Sequence, residues 1–141
     1  VEKTLDRAGA KGQGKISSKI RANGRYDVVL WWAKGDPRAI IEVKHRVYKF
    51  ANIEEDIIRI CETLKRKTFQ SSIKYGLMAF YMSYSYKNNA KDTLFKKINK
   101  LFKDTENIVS NNGLSVEKHI EEIYCDNDQD VYSAIIFLIK R

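Results

Sequence analysis

The stretch Arg25–His45 constrains this 141-residue chain more than any other. Tyr26–Trp32 is apolar, β-branched and aromatic except for Asp27; Ala33–Arg38 gathers Lys, Gly, Asp and Pro; Ala39–Lys44 is a second apolar run. Two such runs around a cluster of turn residues predict two strands joined by a tight polar turn. Side chains on a strand alternate between faces, so Glu42 and Lys44 share one face and Ile41 and Val43 take the other. An antiparallel hairpin can bring Asp27, at the head of the first strand, beside Glu42. Two carboxylates and an amine then converge at one end of an otherwise apolar sheet.

That convergence points to chemistry. A charge in a buried strand is costly unless it is paired or metal-bound. Two carboxylates in one site repel each other unless a cation neutralises them. A divalent ion held by Asp27 and Glu42 removes the conflict. Mg²⁺ (or Mn²⁺) suits such a site, because Mg²⁺ takes oxygen ligands, commonly one or two carboxylates with water and a substrate phosphate. Lys44 beside the ion could orient or deprotonate a water, or stabilise charge developing on a phosphate.

At these residues the chain resembles the PD-(D/E)xK nuclease superfamily, which includes restriction endonucleases and archaeal Holliday junction resolvases. The family pattern is an Asp at the start of one strand and Glu/Asp-x-Lys in the next. Here it is Asp27 and Glu42-Val43-Lys44, with fourteen residues between Asp27 and Glu42 and Tyr26 where the family usually has Pro. The resemblance implies a restriction-endonuclease-like αβββαβ core, an α/β fold on a mixed sheet, over about residues 1–82. An extra helix and strands would follow over about 83–141, all in one domain that can be a piece of a longer chain. It implies a Mg²⁺-dependent deoxyribonuclease in which Asp27, Glu42 and the Val43 carbonyl hold the ion and Lys44 positions the attacking water. A first helix in the family often adds an acidic ligand, for which Glu2 is the candidate. The small size is similar to that of junction resolvases, which work as homodimers. Two other readings stand beside this one: a nuclease-like module that grips nucleic acid without cutting it, and an accidental motif in which Lys44 pairs with Glu42 or Asp27 on a solvated face.

Composition agrees with one globular domain, at 43% hydrophobic and 31% charged residues. No run approaches the roughly 18 apolar residues of a membrane helix. Cys61 and Cys125 form no C-x-x-C, and with only His45 and His119 a zinc site is not expected. Packed, reduced thiols in a cytoplasmic protein are the expectation. The formal charge is +8, and residues 1–50 carry 12 Lys/Arg against 5 Asp/Glu while residues 51–141 carry 14 against 13. A basic excess gathered around the hairpin is the footprint of a polyanion, with DNA as the expected partner. Lys11, Lys15, Lys19, Arg21, Arg25, His45 and Arg46 are the candidate nucleic-acid contacts.

Elsewhere, Glu2–Ala8 is compatible with a helix ending at Gly9, Ala10–Lys15 with a mobile loop, and Ile16–Arg21 with a strand turning at Ala22-Asn23-Gly24. Asn52 is expected to cap a helix, with Glu55 in capping-box spacing. Ile53, Ile57, Ile60, Cys61 and Leu64 recur along one face of that helix, which makes Cys61 a core residue. Lys74–Tyr84 reads as a central strand. Ala90–Lys103 reads as a second helix with Leu94, Ile98, Leu101 and Phe102 inward. Its lysines at 91, 96, 97, 100 and 103 form a solvated face that could track a phosphate backbone. Thr105–Gly113 looks like a turn, and Val116–Tyr124 and Val131–Ile139 like strands around an acidic turn. Asp126, Asp128 and Asp130 imitate a calcium loop, but Val131 and Phe137 stand where that loop needs Gly and Glu.

Overall fold

The strand Pro37–Lys44 (β4) is the seam of the molecule, because its two neighbours run in opposite senses. In the computed structural model, which describes residues 3–4, 25–33, 35, 37–65, 73–85, 88–126 and 129–141, it lies between Val28–Trp31 (β3) and Tyr75–Ser85 (β5). β3 is antiparallel to β4, and β5 is parallel to it, so the chain must cross over between them. The helix Glu54–Lys65 (α1) makes that crossover. The chain then continues through the helix Ala90–Asn111 (α2) to Ser115–Ile120 (β6), Tyr124–Asp126 (β7) and Asp130–Lys140 (β8). The result is a mixed α/β architecture: a six-stranded sheet in the order β3-β4-β5-β8-β6, with β7 also paired to β8.

One face of this sheet buries the core against both helices. Ile40, Met78, Phe80, Met82, Ile135, Phe137 and Ile139 alternate inward from β4, β5 and β8. They meet Ile57, Ile60 and Leu64 of α1 and Leu94, Ile98 and Leu101 of α2, and Phe80 packs edge-on to Phe137 at 5.1 Å. A Cβ added at Gly76 would collide with Ile60 Cγ2, so the absent side chain lets α1 sit down on β5. Cys61 is fully buried in the same layer, and burial pushes its thiol up to about 11. Leu30, Val43, Tyr124 and Ile136 are exposed. Among the described residues no helix is long and apolar enough to cross a membrane.

Several elements differ from the sequence expectation. Lys3–Thr4 (β1) is a strand, not part of a helix, and pairs antiparallel with Arg25–Tyr26 (β2). The run Tyr26–Trp32 is therefore split at Asp27, its first part paired with β1 and its second with β4. Asn52 does not cap α1. It closes a short 3₁₀ turn, Phe50–Asn52, and its Oδ1 accepts from the N–H groups of Tyr48 and Lys49 at 3.2 and 3.1 Å. α2 runs on to Asn111 through the expected turn, because Thr105 and Val109 extend its buried stripe. Thr105 can lie in the core because its Oγ1 donates to Leu101 O at 2.9 Å. The helix stops where Gly113 takes φ +70° and Leu114 N–H returns to Val109 O. The strand expected over 116–124 is two strands, β6 and β7, on the same edge of β8. The expected strand Ile16–Arg21 and the loops at 10–15 and 22–24 lie outside the described residues.

Candidate active site

The site begins at the break between β2 and β3. Asp27 leaves both ladders, and its Oδ2 accepts the Val43 N–H at 2.7 Å, where a neighbouring strand would otherwise bond. Val28 pairs with Ile41, so Asp27 falls beside Glu42 and Val43, as the hairpin requires. Glu42 itself points toward the helices and is only 3% exposed.

α1 supplies the other half. Asp56 and Arg59, one turn apart, stand over the end of β4. Arg59 Nη2 bonds Glu42 Oε1 at 2.5 Å and Asp56 Oδ1 at 2.7 Å, while Lys44 Nζ pairs with Asp56 Oδ2 at 2.9 Å. The four side chains form one alternating run of charge: Glu42, Arg59, Asp56, Lys44. Asp56 lies in the first turn of its helix, where a negative charge is favoured. Tyr26 braces the assembly from β2. Its hydroxyl shares a 2.5 Å hydrogen bond with Thr63 Oγ1, and its ring centre is 5.6 Å from the Arg59 guanidinium carbon. Among the described residues Arg59 Nε is buried with no hydrogen-bond partner, an imbalance that costs roughly 1–3 kcal/mol where it occurs.

Burial lifts the carboxyl of Glu42 from 4.5 to about 7. The Arg59 guanidinium opposes that rise, while the charges of Asp56 and Asp27 add to it. Glu42 therefore divides between acid and carboxylate near neutral pH, a range in which a group can take up or release a proton readily.

Asp27 spends one oxygen on Val43 N–H and Glu42 one on Arg59, and among the described residues the second oxygen of each carboxylate accepts no hydrogen bond. The N–H and C=O of one strand residue face the same side, so the Val43 peptide edge adds a carbonyl to this pair. Among the described residues no group of three or more His, Cys, Asp or Glu is placed to hold a metal ion. Two carboxylates and a carbonyl do not make a closed cage of the zinc kind. They fit an ion that keeps much of its water, as Mg²⁺ does.

Of the residues singled out in the sequence, Asp27, Glu42, Val43 and Lys44 are brought together. Lys44 pairs with Asp56, and the partner of the buried Glu42 is Arg59, so the accidental pairing on a solvated face is not the arrangement found. His45 is exposed, with its ring 6.2 Å from that of Tyr81, and Arg46 is exposed beside it. Arg25 is placed by its backbone in β2 only. Glu2, Lys11, Lys15, Lys19 and Arg21 lie outside the described residues, and Lys3–Thr4, within the expected helix, is a strand. Sequence reasoning missed Asp56 and Arg59. The signal for Asp56 was present: it lies three residues after Ile53 and four before Ile60, on the buried stripe, where a carboxylate needs a partner.

Comparison of the chain with protein-family models, with curated proteins and with solved structures finds no match in any of the three.

Proposed function

We propose that this chain is a metal-dependent endonuclease that hydrolyses DNA phosphodiester bonds at Asp27, Glu42 and Lys44, on a restriction-endonuclease-like core. The observation that carries the reading is the meeting of these three residues at one end of β4, with Glu42 buried and its carboxyl raised to about 7. Asp27 and Glu42, with the Val43 carbonyl, are the ligands for Mg²⁺ or Mn²⁺. When bound, such an ion neutralises charge on the reacting phosphate and acidifies a coordinated water. Lys44 orients the attacking water and faces the phosphate, and its ammonium is held in place by Asp56. Arg59 supplies the positive charge that lets Glu42 ionise inside the protein. The basic first third of the chain holds the phosphate backbone, a contact that is salt-sensitive and indifferent to sequence. Assembly as a homodimer belongs to the same proposal.

A second reading has one observation in its favour. Glu42, Arg59, Asp56 and Lys44 already neutralise one another, as a structural ion cluster in a non-cleaving nucleic-acid-binding module would. Incubation with plasmid, linear, single-stranded and four-way-junction DNA, in Mg²⁺ or Mn²⁺ against EDTA, separates the two. Metal-dependent cutting supports the nuclease, and the ranking of substrates identifies its preferred DNA. Tight binding with no cutting under any of these conditions sinks the nuclease and leaves the module.

A further inference from the structure

Beyond the candidate site, the same end of the sheet carries a second concavity of about 300 Å³, lined by Tyr48, Lys49, Phe50, Lys97, Lys100 and Asp104. It joins two parts of the chain that the sequence does not connect: the segment between β4 and α1, and the third to fifth turns of α2. Three lysines and one aspartate line it. Lys49 and Lys100 make no ion pair among the described residues, and neither does Asp104. The walls are fixed. Asn52 Oδ1 ties down the N–H groups of Tyr48 and Lys49, Tyr84 donates its hydroxyl to Tyr48 O at 3.0 Å, and the two tyrosine rings meet edge-on at 5.5 Å. Lys97 is held with its ammonium 3.9 Å from the centre of the Tyr84 ring. A concavity with an aromatic wall, and with Lys49 and Lys100 outside any ion pair among the described residues, suits an anion.

We infer that this pocket is a phosphate site, occupied by the backbone of the nucleic-acid strand whose scissile bond lies at Lys44. The inference rests on the proposed nuclease reading and deepens it by naming where the substrate is gripped. Reach supports it. Lys44 and Lys49 are five positions apart, so their Cα atoms are at most about 17 Å apart. A DNA strand advances about 3.4 Å per phosphate along the duplex axis. One strand therefore spans both places within about five nucleotides. The aromatic wall is sequence-tolerant, and the lysines are point charges, so the pocket positions a backbone and does not read bases.

The test is fluorescence anisotropy of a labelled DNA duplex across a salt series, in EDTA so that nothing is cut. The double variant Lys49→Ala/Lys100→Ala should lower the slope of log affinity against log salt by about 2, since each phosphate contact contributes about 0.9. Lys49→Arg/Lys100→Arg should keep the slope, and Lys74→Ala, exposed just before β5 and outside the pocket, should leave it unchanged. An unchanged slope in the first variant, an equal fall in the last, or no DNA binding by the intact chain overturns the assignment. Inorganic phosphate bound by the intact chain at fixed ionic strength, and lost in Lys49→Ala/Lys100→Ala while the DNA slope stays unchanged, assigns the pocket to a free phosphate and overturns the backbone reading. The two proposals fail separately. A lowered slope in a protein that never cuts keeps the pocket and removes the nuclease, while cutting with an unchanged slope does the reverse.

Discussion

Glu42 should make the folded protein lose stability as pH rises, the opposite of an ordinary carboxylate. In the unfolded chain its pKa is near 4.5, and in the folded one burial takes it to about 7. Between those values the folded state binds more protons than the unfolded state, so stability falls with rising pH. The contribution is fully present below pH 4.5 and is lost as pH passes through about 7. A displacement of that size corresponds to about 3 kcal/mol. Glu42→Gln retains the shape but cannot titrate. Urea unfolding of both proteins in EDTA at pH 5 and pH 8 isolates the effect: the stability of the variant minus that of the native chain should rise by about 2.5 kcal/mol between them. Arg59→Met removes the charge that opposes the shift and should move the loss to higher pH. A difference between native and Gln forms that does not change with pH would refute the argument, because it would mean that Glu42 ionises as freely in the fold as outside it.

Other consequences follow from the same contacts. Asp56→Asn frees Lys44 and Arg59 from their shared anchor, and the rate of DNA cutting should fall by about 10–100-fold, the usual cost of losing a supporting partner; circular dichroism should show the fold intact. Gly76→Ala forces a methyl against Ile60 in the buried layer and should cost about 1–3 kcal/mol in urea unfolding. Tyr26→Phe deletes the hydrogen bond to Thr63 at the back of Arg59 and should cost about 1 kcal/mol by the same measurement.

The hairpin at the heart of the site could be read from the sequence because everything that specifies it is local. Alternation places Glu42 and Lys44 together, the Ala33–Arg38 cluster forces the turn, and the antiparallel return brings Asp27 alongside. The long apolar run of β5 was equally plain, since a strand flanked on both sides needs little polarity. Its neighbours were not plain. That β8 lies between β5 and β6 depends on pairing with β5 across long stretches of chain, from Ser85 with Asp130 to Tyr75 with Lys140, which no local pattern encodes. Likewise Arg59 reaches Glu42 across seventeen positions, and its role depends on where α1 lands on the sheet. The C-terminal half of α2 was hidden by composition: Lys103-Asp104-Thr105-Glu106-Asn107 is polar throughout, and only Thr105 in it is buried. At Lys3–Thr4 the helix-compatible residues yield to pairing with Arg25–Tyr26, a case of tertiary structure overriding weak local preference.

The most direct test of the central claim is the rate of supercoiled plasmid nicking in Mg²⁺ by the native chain, Asp27→Asn and Lys44→Ala, each matched for folded protein. The account predicts nicking that disappears in EDTA and falls by at least about 100-fold in both variants, in line with the loss of a charge-stabilising group from a reacting site. Nicking that persists undiminished in Asp27→Asn and Lys44→Ala would contradict it, as would a native chain that binds DNA and never cuts it.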